Sequence, residues 1–377
     1  MTEGAVPISL DERKTRLRRA QQFLQEQALD ALVLGPGTSL EYFTGAQWGL
    51  SERFFGAVLT RAGDPAWVLP AFEQARGLEQ IQIGGDVRAW EEHESPYALL
   101  AGVLKDRGAQ AGRIGLDEAL PFMFADGLAQ AAPAARLLSG TAVTAGCRVI
   151  KDAHELQLMR AACEITLKAH AAVFAALRPG MTQPRASVLS SEAHRRLGVR
   201  GGALVLFGAD AAFPHGTTQP KPLAPGELVL IDGGGRLHGY SSDVSRTGIF
   251  GGAPSPRQRR IWDVVRAAQQ AGFEAARPGV EAQALDAAAR RVIDAAGFGP
   301  GYRCFTHRLG HGIGMDGHEW THLVQGNVTQ LRSGMCFTDE PGIYLPGELG
   351  VRHEDVIAIS EAGAITLSGW TGSPERP

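Results

Sequence analysis

The segment HEWTH at 318–322 sets two histidines four residues apart with a glutamate beside the first. On a helix, that spacing would place the His318 and His322 imidazoles on one face to bind zinc, with Glu319 positioned to activate water. The neighbouring residues oppose a helix. Gly310, Gly312, Gly314 and Gly317 precede the motif and Gly326 follows it. Each interior glycine costs about 1 kcal/mol relative to alanine, so at most two helical turns fit. The extended pattern H-E-x-x-H-x-x-G-x-x-H also fails, because Gln325 holds the glycine place and Val328 the last histidine place. Glu340 stays open as a third ligand.

Four acids carry a second signal. LAPGELVLID at 223–232 is matched by LRSGMCFTDE at 331–340, an offset of 108 that aligns Leu223 with Leu331, Gly226 with Gly334 and Asp232 with Glu340. Upstream, AALRPGMT at 175–182 is echoed by EAARPGVE at 274–281. Such self-similarity marks a duplicated supersecondary unit. Asp243 follows Asp232 by 11 residues and Glu354 follows Glu340 by 14. The strand-like runs ELVLID and MCFTDE, followed by Gly233 to Gly235 or by Pro341 and Gly342, predict that a β-hairpin carries each pair. A lone acid is usually solvated or salt-bridged. Four acids converging at apolar strand ends would cost several kcal/mol per unpaired charge, and two divalent cations would neutralise their charge of −4.

The elements that must position these residues fall into two regions. Up to about residue 140, helical patterns alternate with the short apolar runs DALVLG, FGAVLT, PAWVLP, DVRAW, RIGLD and ARLLSG, which predict an α/β domain. No Gly-rich phosphate loop follows any of these strands. The pattern changes after TAVTAGCRVIKDAHE, where a long amphipathic helix from about Ala153 to Leu177 begins. This sets a boundary near 146–152 and domains of 1–146 and 147–377, in keeping with a chain of 377 residues. A formal charge of −3 offers no basic stripe for nucleic acid. No apolar run approaches a membrane span of about 20 residues, and the amino terminus reads as a helix and a strand rather than a signal peptide. Cys147, Cys163, Cys304 and Cys336 are separated by 16, 141 and 32 residues, unlike a metal knuckle or a disulfide frame. Reduced thiols and a cytoplasmic location are the expectation.

Taken together, DGGGRLHGYSSDVSRT, GHGIG, DEPGIY and GVRHEDV resemble the motif blocks of the pita-bread metallopeptidases, the fold family of methionine aminopeptidase, aminopeptidase P, prolidase and creatinase. The resemblance covers most of the chain and is most specific over 215–354. It implies an amino-terminal α/β creatinase-like domain, which shapes the substrate site and makes dimer contacts, followed by a duplicated pita-bread catalytic domain. It also implies two divalent ions held by Asp232, Asp243, His311, Glu340 and Glu354, with Asp243 and Glu354 shared. Four oxygen donors and one nitrogen suit Mn²⁺ or Co²⁺, and Zn²⁺ stays open.

The same resemblance makes His318 a histidine beside the scissile bond rather than a ligand, and His215 in FPHG a substrate-side histidine. Glu340 is implied to move a proton. Arg352, two residues before Glu354, is expected on the same strand face and in support of that carboxylate. His322 is a candidate substrate contact or a surface residue, His307 a substrate contact or a core histidine, and Glu319 is expected to be solvated. His353 replaces an apolar residue of the family and reads as a packing change. The large amino-terminal region and the retained ligands imply a peptidase acting before proline. Xaa-Pro dipeptides are the expected substrates; aminopeptidase P activity on longer peptides and a non-catalytic peptide-binding role are the alternatives. WGLSERFF at 48–55 resembles small bacterial prolidases and offers Arg53 for the substrate carboxylate, or for a structural ion pair. A homodimer is expected.

Overall fold

The computed structural model describes residues 4–377 and divides into two compact units. The first, Pro7–Arg148, opens with α1 (Leu10–Glu26), started by a capping box in which Ser9 and Glu12 satisfy each other's backbone N–H groups. Six strands follow: β1 (Ala31–Leu34), β2 (Gly56–Thr60), β3 (Ala66–Pro70), β4 (Asp86–Trp90), β5 (Arg113–Leu116) and β6 (Arg136–Ser139). They lie where the six apolar runs predict them, in the order β4-β3-β2-β1-β5-β6. β2 runs antiparallel to both β1 and β3, and the remaining pairs are parallel. β1 is buried throughout as a central strand. Phe54, Trp90, Leu100, Phe124 and Leu128 belong to the core packed on this sheet.

The second unit, 149–377 together with the segment ending at Val6, contains the duplication. α2 (Ala153–Ala176) and α3 (Gln183–Arg196) precede the antiparallel strands β7 (Arg200–Phe207), β8 (Leu228–Leu237) and β9 (Val244–Ile249). α4 (Pro256–Ala275) and α5 (Ala282–Ala295) precede β10 (Gly310–Gly312), β11 (Glu319–Leu323), β12 (Cys336–Asp339), β13 (Gly342–Leu345), β14 (Leu349–Arg352), β15 (Asp355–Ser360) and β16 (Gly363–Thr366). The echoed RPG turns bond alike: Gly180 N donates to Leu223 O at 2.8 Å and Gly279 N donates to Leu331 O at 2.8 Å. Both glycines have left-handed φ, 78° and 84°, a conformation that penalises any other residue. The aligned leucines are therefore anchored in the same way in each half. An antiparallel bridge between Ser245 and Glu354 joins the halves. All four cysteines are free and buried, and no helix among the described residues is long and apolar enough to cross a membrane.

Candidate active site

Each half delivers its acids on an antiparallel strand pair. Asp232 lies within β8 opposite Ser245 of β9, and Asp243 directly precedes β9. The glycine run makes this crossing feasible, because a Cβ on Gly234 would sit 1.7 Å from Ser242 O. Glu340 directly follows β12 and Glu354 directly precedes β15, and these strands pair in the same sense. The second connection also forms its own ribbon, β13 with β14. His311 lies on β10, with its backbone N–H donating to Thr338 Oγ1.

These side chains line a cavity of about 460 Å³ together with His215, Tyr302, His307, Arg308, His318 and Arg352. Candidate ligand atoms lie within 4.8 Å of one another in three groups: Asp232, Asp243 and Glu354; His311, Glu340 and Glu354; and Asp243, His311 and His318. Burial, with repulsion from Asp232 and Glu340, holds the Asp243 carboxyl well above the usual range. Burial and the nearby Asp243 do the same to Glu354, and burial lifts Glu340 to about 7. Asp232 goes the other way: burial opposes ionisation, but Arg352 and hydrogen bonds from neighbouring groups outweigh it. Ser245 Oγ lies 2.6 Å from Asp232 Oδ1 and 2.8 Å from Glu354 Oε2, yet its single hydrogen can satisfy only one of them. Without further positive charge this cluster must retain protons. Divalent cations fit it, since they supply that charge to oxygen donors.

The histidine geometry agrees. His311 Nδ1 is 3.0 Å from Gly312 O, so it carries the proton, and Nε2 keeps a free lone pair suited to a metal. That Nε2 lies 3.4 Å from Glu340 Oε1 and 4.0 Å from Asp243 Oδ2. Burial pulls the His311 pKa down to about 3, keeping the ring neutral as a ligand must be.

Residues 157–361 match the model of Metallopeptidase family M24, and residues 16–150 match the Creatinase/Prolidase N-terminal domain. The chain belongs to the M24 metallopeptidases. It is 36% identical over 363 residues to an Xaa-Pro dipeptidase of Lactobacillus delbrueckii subsp. lactis, covering 92% of this chain and 95% of that protein. Among solved structures it superposes on Dipeptidase PepE from Mycobacterium ulcerans with a TM-score of 0.89 and 33% identity, covering 97% of this chain and 98% of that one. A recombinant prolidase from Thermococcus sibiricus gives 0.86 at 29% identity, covering 94% and 96%. The pita-bread fold and its creatinase-type amino-terminal domain are thus those of a peptidase family that includes prolidases.

Within this M24 site, HEWTH is not helical. Glu319 to His322 lie on β11, where His322 pairs with His311 across the ladder. His322 is exposed and is not among the residues lining the cavity. His318 sits just before the strand with its ring stacked on that of His311, centroids 3.7 Å apart. Glu319 corrects the expectation of a solvated acid: it is buried and ion-paired with Lys151 at 2.8 Å. Arg352 supports the Glu354 carboxylate by its charge, but its hydrogen bonds go elsewhere. β14 ends at Arg352, so strand alternation does not carry on to Glu354. The guanidinium instead donates to Asp232 Oδ2 at 2.5 Å, to Tyr344 Oη at 2.8 Å and to Ser245 Oγ at 3.1 Å.

Because arginine can only donate, Tyr344 Oη must pass its own hydrogen to His307 Nε2, 2.7 Å away. His307 Nδ1 then donates to Arg308 O at 2.8 Å. Both His307 nitrogens have partners within the chain, and the residue lines the cavity wall. His353 is fully buried against Trp262, with ring centroids 4.5 Å apart, and burial lowers its pKa to about 3. Arg53 pairs with Glu92 at 2.8 Å and with Glu52 in the first unit. Sequence reading passed over Ser245, Tyr344 and Arg308. The first two stand inside the quoted blocks SSDVSRT and DEPGIY, whereas nothing local marks Arg308.

Proposed function

We propose that the chain hydrolyses the peptide bond before proline in Xaa-Pro dipeptides, using two divalent ions held by Asp232, Asp243, His311, Glu340 and Glu354. The observation that carries the dipeptide reading is Arg308. It lines the cavity and has no carboxylate partner among the described residues, whereas the other lining arginine, Arg352, is committed to Asp232. A cation on the cavity wall with no carboxylate paired to it suits the free carboxylate of a dipeptide. The named activity of the relatives supports the same reading.

When bound, two divalent ions supply a water that deprotonates near neutral pH and polarise the scissile carbonyl. The chain's own groups do the rest. Arg308 Nη2 lies 3.4 Å from His318 Nδ1. Arginine cannot accept, so Nδ1 accepts and Nε2–H is left to donate to the oxyanion that forms at the carbonyl. Burial and the Arg308 charge lower the His318 pKa, which favours this neutral donor. Glu340 Oε1 accepts from Thr338 Oγ1 at 3.2 Å, leaving Oε2 to take a proton and return it to the departing proline nitrogen. His215 borders the substrate, and Arg352 holds Asp232. The oxygen-rich donor set favours Mn²⁺ or Co²⁺, and a homodimer is the assembly proposed from the family resemblance.

Turnover of Ala-Pro, Ala-Pro amide and Ala-Pro-Ala in the presence of Mn²⁺ tests the reading. A dipeptidase cleaves the first far faster than the other two. Equal or faster cleavage of the tripeptide would instead make the chain an aminopeptidase P.

A further inference from the structure

His318 is held by a turn whose centre is a buried charge. Glu319 Oε2 meets Lys151 Nζ at 2.8 Å, with the two side chains 1% and 2% exposed. Its other oxygen, Oε1, accepts from the backbone N–H groups of Met315 at 3.0 Å and Asp316 at 3.2 Å. The loop between His311 and His318 thus wraps back around the Glu319 carboxylate. Gly314 permits the wrap: a Cβ there would lie 2.7 Å from Glu319 Oε2 and 2.8 Å from Lys151 Cε. Ser241, on the first acid hairpin, fixes the outside of the same loop, with its N–H donating to Gly314 O at 2.7 Å and its hydroxyl to Met315 O at 3.3 Å. Lys151 is anchored in turn, its N–H donating to Gly334 O at 2.8 Å. A buried carboxylate whose two oxygens are divided between an ammonium and two loop amides fixes the loop's path in a way an apolar side chain cannot.

We propose that Glu319 and Lys151 are positioning residues for His318: the carboxylate ties down the amides of Met315 and Asp316 so that the His318 ring stays stacked on His311 with Nε2–H aimed into the cavity. The glutamate of HEWTH then has a task unrelated to zinc or water. Its target is the orientation of one imidazole, so its loss affects turnover rather than substrate affinity. The proposal rests on His318 acting as the oxyanion donor.

Removing one partner alone would leave a buried charge uncompensated, so the test uses double variants. Lys151→Met with Glu319→Gln keeps an acceptor oxygen for the two amides, while Lys151→Met with Glu319→Leu removes it. The Gln pair should hold kcat within about threefold of wild type. The Leu pair should lower kcat at least about tenfold, with KM and bound-metal content unchanged, and should shift the His318 ring ¹⁵N resonances in the NMR spectrum. Gly314→Ala, which presses on the ion pair without removing it, should shift the same resonances and serves if the Leu pair does not fold. Wild-type kcat and unshifted His318 resonances in the Leu pair or in Gly314→Ala would overturn the proposal. So would a parallel fall of kcat, melting temperature and metal content in both double variants, which marks a purely structural pair. If the resonances shift but kcat does not, the positioning stands and the oxyanion role of His318 is what fails.

Discussion

The two halves of the catalytic unit share a plan and differ in what they add to it. In the first, β8 and β9 carry Asp232 and Asp243 across a short glycine-rich connection. In the second, β12 and β15 carry Glu340 and Glu354, and the longer connection folds into the β13–β14 ribbon. That ribbon sends Tyr344 and Arg352 towards the acid of the opposite half, Asp232. His311, His318 and Arg308 also come from the second half, while the first adds His215. Duplication therefore accounts for four acids set face to face, which is a charge arrangement. Asymmetry accounts for the hydrogen-bond donors His318, Arg308 and Arg352. A repeat alone can gather metal, but the departures from the repeat make the site a peptidase.

The comparison breaks most severely where the halves meet. Asp243 belongs to two of the three candidate ligand groups. Asp243→Asn should empty the site of at least one ion and abolish measurable turnover, a larger loss than the roughly 10–100-fold that removing an outer partner costs. Elemental analysis and activity together check this. One zinc retained in Asp243→Asn but lost in His322→Ala would restore the H-E-x-x-H reading. His318→Gln, confined to the asymmetric part, should lower kcat by roughly 10²–10³ with both ions still bound. A variant with unchanged kcat would take His318 out of the oxyanion role.

How much of this could be read from the residues follows the range over which each feature is encoded. The six strands of the first unit were legible because each is a short apolar run bounded by turn residues. The acid hairpins were legible because the 108-residue offset repeats their anchors, Leu223 with Leu331 and Gly226 with Gly334. The glycines around HEWTH argued against a helix, and the segment is a strand. Partners distant in sequence were not legible. Lys151 lies 168 positions from Glu319 and Asp232 lies 120 from Arg352, and no local pattern names either pairing. Strand alternation missed Asp232 as the direct partner of Arg352 because it assumed that β14 continues to Glu354. Arg308 was passed over because an arginine three residues before His311 carries no motif; only the cavity shows that it faces the site with no acid ion-paired to it among the described residues.

Arg308 and Arg53 sharpen the contrast between the two units. Both are candidates for the substrate carboxylate, but Arg53 is occupied by Glu92 and Glu52. Arg308→Ala should lower kcat/KM for Ala-Pro by an extra amount equivalent to about 1.5–3 kcal/mol, as expected for a lost hydrogen bond to a charged group, beyond the loss that Ala-Pro amide shares because His318 is released. Arg53→Ala should treat the two substrates alike. The reverse outcome would return the carboxylate contact to the first unit.

The smallest effect concerns the protein without its ions, and its sign follows from the acids. Burial and mutual repulsion raise the folded-state pKa of Glu340, to about 7, and of Asp243 and Glu354. An acid whose folded pKa is raised favours the folded state fully below its unfolded value, about 4. That contribution is lost as pH rises through the folded value. Asp232, held low by Arg352 against burial, contributes with the opposite sign, and its share is lost only as pH falls below about 4. Between pH 5 and 8 Asp232 therefore changes little, Glu340 ionises in the folded state, and the unfolded chain has already released the protons that Asp243 and Glu354 hold more tightly when folded. The metal-stripped protein should lose several degrees of melting temperature across that window. Adding Mn²⁺ should restore more stability at pH 8 than at pH 5, because cations replace the protons the acids would otherwise keep. Calorimetry of stripped and loaded protein at the two pH values decides it. A stripped protein whose melting temperature is flat or rises from pH 5 to 8 would mean that the four acids do not crowd one another, and the argument that their charge calls for two ions would fall with it.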